Sequence, residues 1–352
     1  MKKTKTKNLL SVKMPEDGLR SLAEQITSEI EAGKHQLVVN INQTIKATYW
    51  NIGRHIVNFE QAGEVKAKYG TAMLSNLAKL LRSKVGRGYS RPNLNNMRKF
   101  YLLFSDTNTS NDKKSICQTS DKLTWSHICE LITIDDPLER KFYEKECVAG
   151  SWSVETLHRQ KESGLFMRLA LSKDKEGVMA LANKGQQLQT ADDVVKNTYT
   201  LEFLDIKDKK CFKEKDLEDK LIDNMQMFLL ELGKGFTFVK RRYSLTISNV
   251  HYHIDLVFYH RILKCFVLID LKRGMVKHKD IGQMNMYMGY FAKEESTESD
   301  NPPIGIVLGH YKDELMVEYA TYGMDANLFV SKYELFLPQK EELRKIVKTI
   351  MK

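Results

Sequence analysis

Apolar residues recur at helical spacing from Leu19 to about Leu171. Ile41, Ile45, Thr48 and Ile52 continue one face, and Leu74, Leu77 and Leu81 form another. Capping signals punctuate the run. Asp136-Pro137-Leu138-Glu139 combines a capping acid, a first-turn proline and a glutamate at the third helical position, and Ser153 caps the helix carrying Val154, Leu157 and Lys161. The stretch from Thr107 to Lys122 is polar and predicts a surface loop. The pattern predicts a basic, disordered tail over 1–14, a helical domain over 15–172, a charged connection over 173–196 and a second domain over 197–352.

The second domain mixes periods. Leu217, Leu221, Ile222, Met225, Phe228, Leu229 and Leu232 predict a helix ending at Gly233-Lys234-Gly235. Phe236 to Ile247 leads through a polar turn at Ser248-Asn249 into Ile254-Asp255-Leu256-Val257-Phe258-Tyr259. Cys265 to Lys272 is the next strand, Asp280 to Phe291 a helix with Ile281, Met284 and Met288 inward, and Ile304 to Leu308 a buried strand. A hairpin turning near Ile262-Leu263 lacks turn residues, so its tip is expected to pack against the first domain or a partner.

Two of those apolar strands carry ionisable groups where hydrophobic packing would be cheaper. Side chains alternate along a strand, so Asp270 and Lys272 project from one face, and the hairpin brings Asp255 beside them. A buried carboxylate costs several kcal/mol unless a cation, proton or metal compensates it. Two acids and a lysine converging in this way suit a divalent-metal site for phosphodiester hydrolysis. Acid-x-Lys also occurs at Asp112-Lys114, Asp205-Lys207 and Asp208-Lys210, but in polar stretches that read as solvated loops. Glu218 shares the edge of the buried helical stripe and is a third candidate acid.

Helix with an acid, strand, strand with an acid, strand with acid-x-Lys, then helix resembles the PD-(D/E)XK nuclease superfamily. The wording is similar to its YhcG-like bacterial branch in Leu217-Glu218, Phe228 to Phe236, Ile254 to His260, Ile269-Asp270-Leu271-Lys272 and Gly282 to Tyr287. Leu123 to His127, Trp152-Ser153-Val154 and Leu201 to Leu204 match as well, so the resemblance spans nearly the whole chain. One departure is Asp270, where that branch more often has Glu. The resemblance implies a helical N-terminal domain followed by an α/β, restriction-endonuclease-like domain with a mixed central sheet. It also implies a Mg²⁺- or Mn²⁺-dependent nuclease. Asp255, Asp270 and the Leu271 carbonyl would supply metal ligands, and Lys272 would orient water or stabilise the transition state. Glu218 would bind a second metal or hold a metal water, and Gln283 would orient water or contact substrate.

Charge adds a candidate binding surface. Lys and Arg number 55 against 45 acids, a formal net charge of +10 that suits a polyanionic partner and would equally serve solubility; the nuclease resemblance implies that the partner is nucleic acid, DNA first. Between Gly70 and Phe104, a helix, a Gly86-Arg87-Gly88 turn and a second helix capped by Ser90 resemble a helix-turn-helix. Arg87, Arg91, Asn95, Arg98 and Lys99 cluster there as candidate nucleic-acid contacts, with an ordinary solvated basic face as the competing reading. The five cysteines have no metal-ligand spacing and read as reduced thiols of a cytoplasmic protein. No apolar run approaches the roughly 20 residues of a membrane span, so no membrane partner is expected. His253 alternates onto the face of Asp255 but has no further nitrogen or sulfur ligand at supporting spacing. Self-association into a homo-oligomer stays open. A non-catalytic nucleic-acid-binding protein, or a protein-interaction module with a basic face, are the rival readings.

Overall fold

A computed structural model describes residues 16–62, 67–105, 122–171, 173–206, 213–324 and 326–351. The expected tail over 1–14 and nearly all of the expected polar loop lie outside them. Contacts divide the chain into two compact units, 1–133 and 134–352.

In the first unit α1 (Glu16–Ala62), α2 (Ala67–Val85), α3 (Arg91–Phe104) and α4 (Trp125–Leu131) are all helical, as the periodicity predicts. The Ser90 hydroxyl accepts the Asn93 amide at 3.4 Å and Pro92 sits in the first turn of α3, where its missing N–H costs nothing. Leu94, Met97 and Phe100 are fully buried along one stripe of that helix. Gly53 is needed where α1 crosses α3, because a Cβ there would collide with the Met97 carbonyl.

In the second unit, α5 (Pro137–Gly150), α6 (Val154–Glu162), α7 (Leu165–Ala170), α8 (Lys175–Lys184) and α9 (Ala191–Val194) precede a sheet. Its strands are β1 (Thr198–Thr200), β2 (Phe236–Ile247), β3 (Val250–His260), β4 (Cys265–Met275), β5 (Ile304–Tyr311) and β6 (Leu328–Glu334), in the order β1-β6-β5-β4-β3-β2. β2, β3 and β4 pair antiparallel and the other neighbours parallel, so the sheet is mixed. Helices α10 (Glu214–Asp223) and α11 (Met225–Leu232) cover one face through Leu217, Leu221, Phe228 and Leu232. Helices α12 (His278–Tyr290) and α13 (Glu314–Thr321) cover the other, and α14 (Lys340–Ile350) closes the chain. Gly305 lets α12 lie close on β5, since a Cβ there would fall 2.5 Å from Met288 Sδ.

The single helix expected over 217–232 is two, broken where Asn224 leaves helical geometry with ψ 32°. At the hairpin tip Ile262 stays exposed while Leu263 turns inward. Leu263 packs into the α10 side of the core, its amide donates to His260 Nδ1, and the Asn301 side chain and backbone bind the Leu263 and Lys264 carbonyls.

Residues 134–170 group with the sheet because charge and hydrogen bonds tie them there. Glu231, at the end of α11, is fully buried and receives Arg168 Nη1 at 2.6 Å, Lys196 Nζ at 3.8 Å and the Thr200 amide at 3.0 Å. Arg159 reaches both Glu231 and Glu202, and the Gln160 amide binds the Leu230 carbonyl.

Candidate metal centre

The β3–β4 ladder runs from His260 opposite Cys265 to Leu256 opposite Ile269. One step further the register would set Asp255 against Asp270, and there the ladder stops. The Leu271 amide donates instead to Asp255 Oδ2 at 2.7 Å, so a carboxylate stands where a strand carbonyl would otherwise satisfy it. The opening between strands is what admits two acids to an apolar sheet.

Asp270 is buried, 4 % exposed. Lys272 Nζ lies 2.6 Å from its Oδ2, an ion pair in which the ammonium faces the buried carboxylate. Burial pushes the Asp270 carboxyl up to about 7, with Lys272 working against the rise and Asp255 adding to it. Burial likewise raises Asp255, opposed by the Leu271 amide and Lys272 and reinforced by Glu218 and Glu214. Burial alone would depress Lys272, but the neighbouring Asp270 and Asp255 outweigh it and hold the ammonium above its ordinary value.

Glu218 is buried on α10, and its Oε1 accepts from Arg241 Nε at 2.6 Å, an arginine that also contacts Asp219. No group of three His, Cys, Asp or Glu side chains gathers around one metal position among the described residues. Glu218 thus stands within electrostatic range of Asp255 while paired to a cation. Sequence reasoning missed Arg241, whose only signal is its place in a Lys-Arg-Arg run on β2. The Gln283 amide donates to Tyr287 Oη at 2.6 Å, and that hydroxyl donates to the His253 carbonyl at 3.1 Å. Tyr287, also missed, has its phenol pushed up to about 12 by burial and the nearby Asp270 charge.

A divalent ion suits this set. The donors are oxygens, and the two acids, both raised by burial, repel one another beside a single lysine. Two carboxylates with the remaining positions left to water, carbonyl or phosphate match the sparse protein coordination of Mg²⁺.

In the first unit, Arg87 and Arg91 are exposed and line a cavity of about 310 Å³ with Lys79 and Arg82, two cations the sequence reading did not single out. Lys99 is exposed and Asn95 half-buried, neither lining that cavity. Arg98 Nε is held by Glu60 at 2.7 Å. The described Cys129, Cys147 and Cys265 are free thiols.

Residues 192–348 match the YhcG PDDEXK nuclease domain and residues 25–168 the DUF1016 N-terminal domain. The chain is 33 % identical over 349 residues to a protein of Escherichia coli (strain K12) named "Putative nuclease YhcG", covering 93 % of this chain and 92 % of that one. A crystal structure of a repair endonuclease from Pyrococcus abyssi shows a partial likeness at 16 % identity and TM-score 0.27, over 36 % of this chain and 48 % of that one.

Proposed function

Because the chain belongs to the YhcG family of PD-(D/E)XK nucleases, we propose that it hydrolyses phosphodiester bonds of DNA with Mg²⁺ or Mn²⁺ held at Asp255 and Asp270. The observation that carries this reading is the parted β3–β4 ladder, which sets two acids whose carboxyls burial raises, Asp255 and Asp270, beside Lys272. A bound divalent ion supplies Lewis-acid polarisation of the phosphate and a water of lowered pKa.

The chain's own residues do the rest. Asp255 and Asp270 hold the cation, with the Leu271 carbonyl available between Asp270 and Lys272. Lys272, kept charged by its two acid neighbours, orients the attacking water and stabilises negative charge developing on the phosphorus oxygens. Arg241 locks Glu218 at the rim, where that acid orders water near the metal rather than joining a three-carboxylate cluster. Gln283, fixed by Tyr287, lies on the helix packed over the same face and positions substrate.

The test is a cleavage assay on duplex, single-stranded and branched DNA and on RNA, with Mg²⁺ or Mn²⁺, beside Lys272→Ala. Cleavage of DNA by the wild type and its loss in the variant are expected. Binding without cleavage of any substrate would leave a non-catalytic nucleic-acid-binding protein.

The helical unit supplies phosphate contacts from the Arg87–Arg91 cavity. Arg98 is assigned no such contact, since Glu60 already neutralises it. Arg87→Ala with Arg91→Ala is expected to lower the log–log salt slope of binding by about two units, one per lost contact. An unchanged slope in a salt titration would return that face to ordinary solvated surface. Among the described residues no helix is long and apolar enough to cross a membrane. A reducing, cytoplasmic setting fits the free thiols.

A further inference from the structure

The β2–β3 hairpin continues past the metal centre as a two-stranded arm. β3 pairs with β4 only from Leu256 onward, so from Val250 to Ile254 its ladder partner is β2 alone. A two-residue turn with Ser248 at φ 49° and Asn249 at φ 63° closes the arm. One face is apolar. Leu245 and Ile254, with Tyr243, Ile247 and Tyr252, pack into the core that α12 completes.

The other face, on the side of the sheet away from α12, is a polar strip that meets the metal centre at the Asp255 step, where the strands change face. Ser244 Oγ lies 3.0 Å from His253 Nδ1, and Thr246 Oγ1 lies 2.8 Å from His251 Nδ1, each pair bridging the two strands. All four side chains are exposed. In the tautomer where the hydroxyl donates to Nδ1, the proton is on Nε2 and the ring offers a donor; in the other, Nδ1 donates and Nε2 accepts. Arg242, also exposed, occupies the step opposite Asp255 between the Arg241–Leu256 and Tyr243–Ile254 pairs. Its φ of 47° is left-handed, a conformation that costs a non-glycine residue about 1 kcal/mol or more and that clusters at functional sites. At this step the strands exchange faces, since Leu256 belongs to the core under α10 and Ile254 to the core under α12. From Leu232 to Ile254 the chain has Lys234, Lys240, Arg241 and Arg242 but no Asp or Glu. Glu146 pairs with Lys234, and Glu218 and Asp219 with Arg241, which leaves Arg242 as an exposed cation beside the strip.

We propose that this strip, Arg242 with His253 and His251, is the surface on which the nucleic-acid strand lies next to the scissile phosphate. It rests on the nuclease reading above. Arg242 takes a backbone phosphate adjoining the one at the metal, and the imidazoles, in the tautomer with Nε2 as donor, take phosphate or base-edge acceptors further along the strand. A protein partner with an acidic face would match the charge as well, but continuity with Asp255 favours the substrate.

The experiment measures binding of a fluorescent 20-base-pair duplex and its single strand by the full chain carrying Lys272→Ala, so that substrate persists. Adding Arg242→Ala, His251→Ala and His253→Ala together is expected to weaken binding about tenfold and reduce the salt slope by about one unit, for Arg242. Arg242→Lys should keep the slope. Lys345→Ala with Lys348→Ala, exposed cations on α14, is the charge control and should change affinity little. Because the three arm side chains are exposed, circular dichroism should show an unchanged fold. Unaltered affinity in the arm variant, or an equal loss in the control, overturns the inference while leaving the nuclease reading standing. A wild-type chain that neither binds nor cleaves any nucleic acid sinks that reading and takes the arm with it.

Discussion

Asp270→Asn is expected to lower metal-dependent cleavage by at least about a thousandfold, the scale on which catalytic charge stabilisation is lost. The substitution keeps the side-chain shape and removes one charge from a position that is 4 % exposed. Lys272 would lose its ion contact, and the cation would lose one of two carboxylates. Metal-free stability should hold or increase, because a desolvated acid repelled by Asp255 disappears. Single-turnover cleavage over a range of Mn²⁺ concentrations, beside calorimetric titration of the metal, separates these effects. Weak metal binding with an intact thermal midpoint is the expected pair of results. Near wild-type cleavage would place the metal elsewhere.

The second large effect concerns stability. Glu231→Gln is expected to destabilise the second unit by about 3–5 kcal/mol, the usual cost of stranding a buried partner charge. One carboxylate here serves three cations. Burial alone would raise Glu231, but Arg168, Lys196 and Arg159 outweigh it and hold its carboxyl at about 2. The same shortage leaves burial dominant at Lys196, which falls to about 8. Since the folded value of Glu231 lies below its ordinary 4.5, its contribution is fully present above about pH 4.5 and is lost as pH falls towards 2. Urea unfolding of wild type and variant from pH 7 to pH 3 should therefore give curves that converge in acid. A constant gap would mean that packing and not the Glu231 charge sets the difference.

Several contacts that the sequence does not announce share one cause. Arg98 and Glu60 are 38 positions apart, and Arg241 and Glu218 are 23 apart. Neither partner carries a local mark of the other, so Arg98 reads as a free phosphate contact and Glu218 as a free ligand. Lys79 and Arg82 escape notice for the same reason, as they sit on α2 while the expected basic cluster lies on the turn and α3. Strands β1 and β6 give weak signals too. β1 has only three residues, and its buried polar environment includes Thr200, whose amide is taken by the distant Glu231.

By itself the sequence determined the order of elements from Leu217 to Phe291 and the pairing of Asp270 with Lys272 in one strand. Both are local properties: apolar periodicity selects helix or strand, and an ionisable group inside an apolar run stands out through its desolvation cost. Only the tertiary structure decided that the ladder parts at Asp255, that Asp270 is buried against Lys272, and that Arg241 claims Glu218. It also decided that residues 134–170 join the sheet, through Arg159, Gln160 and Arg168. These depend on which charges meet after the chain has folded, and a buried charge takes whichever counter-charge packing brings within a few ångströms.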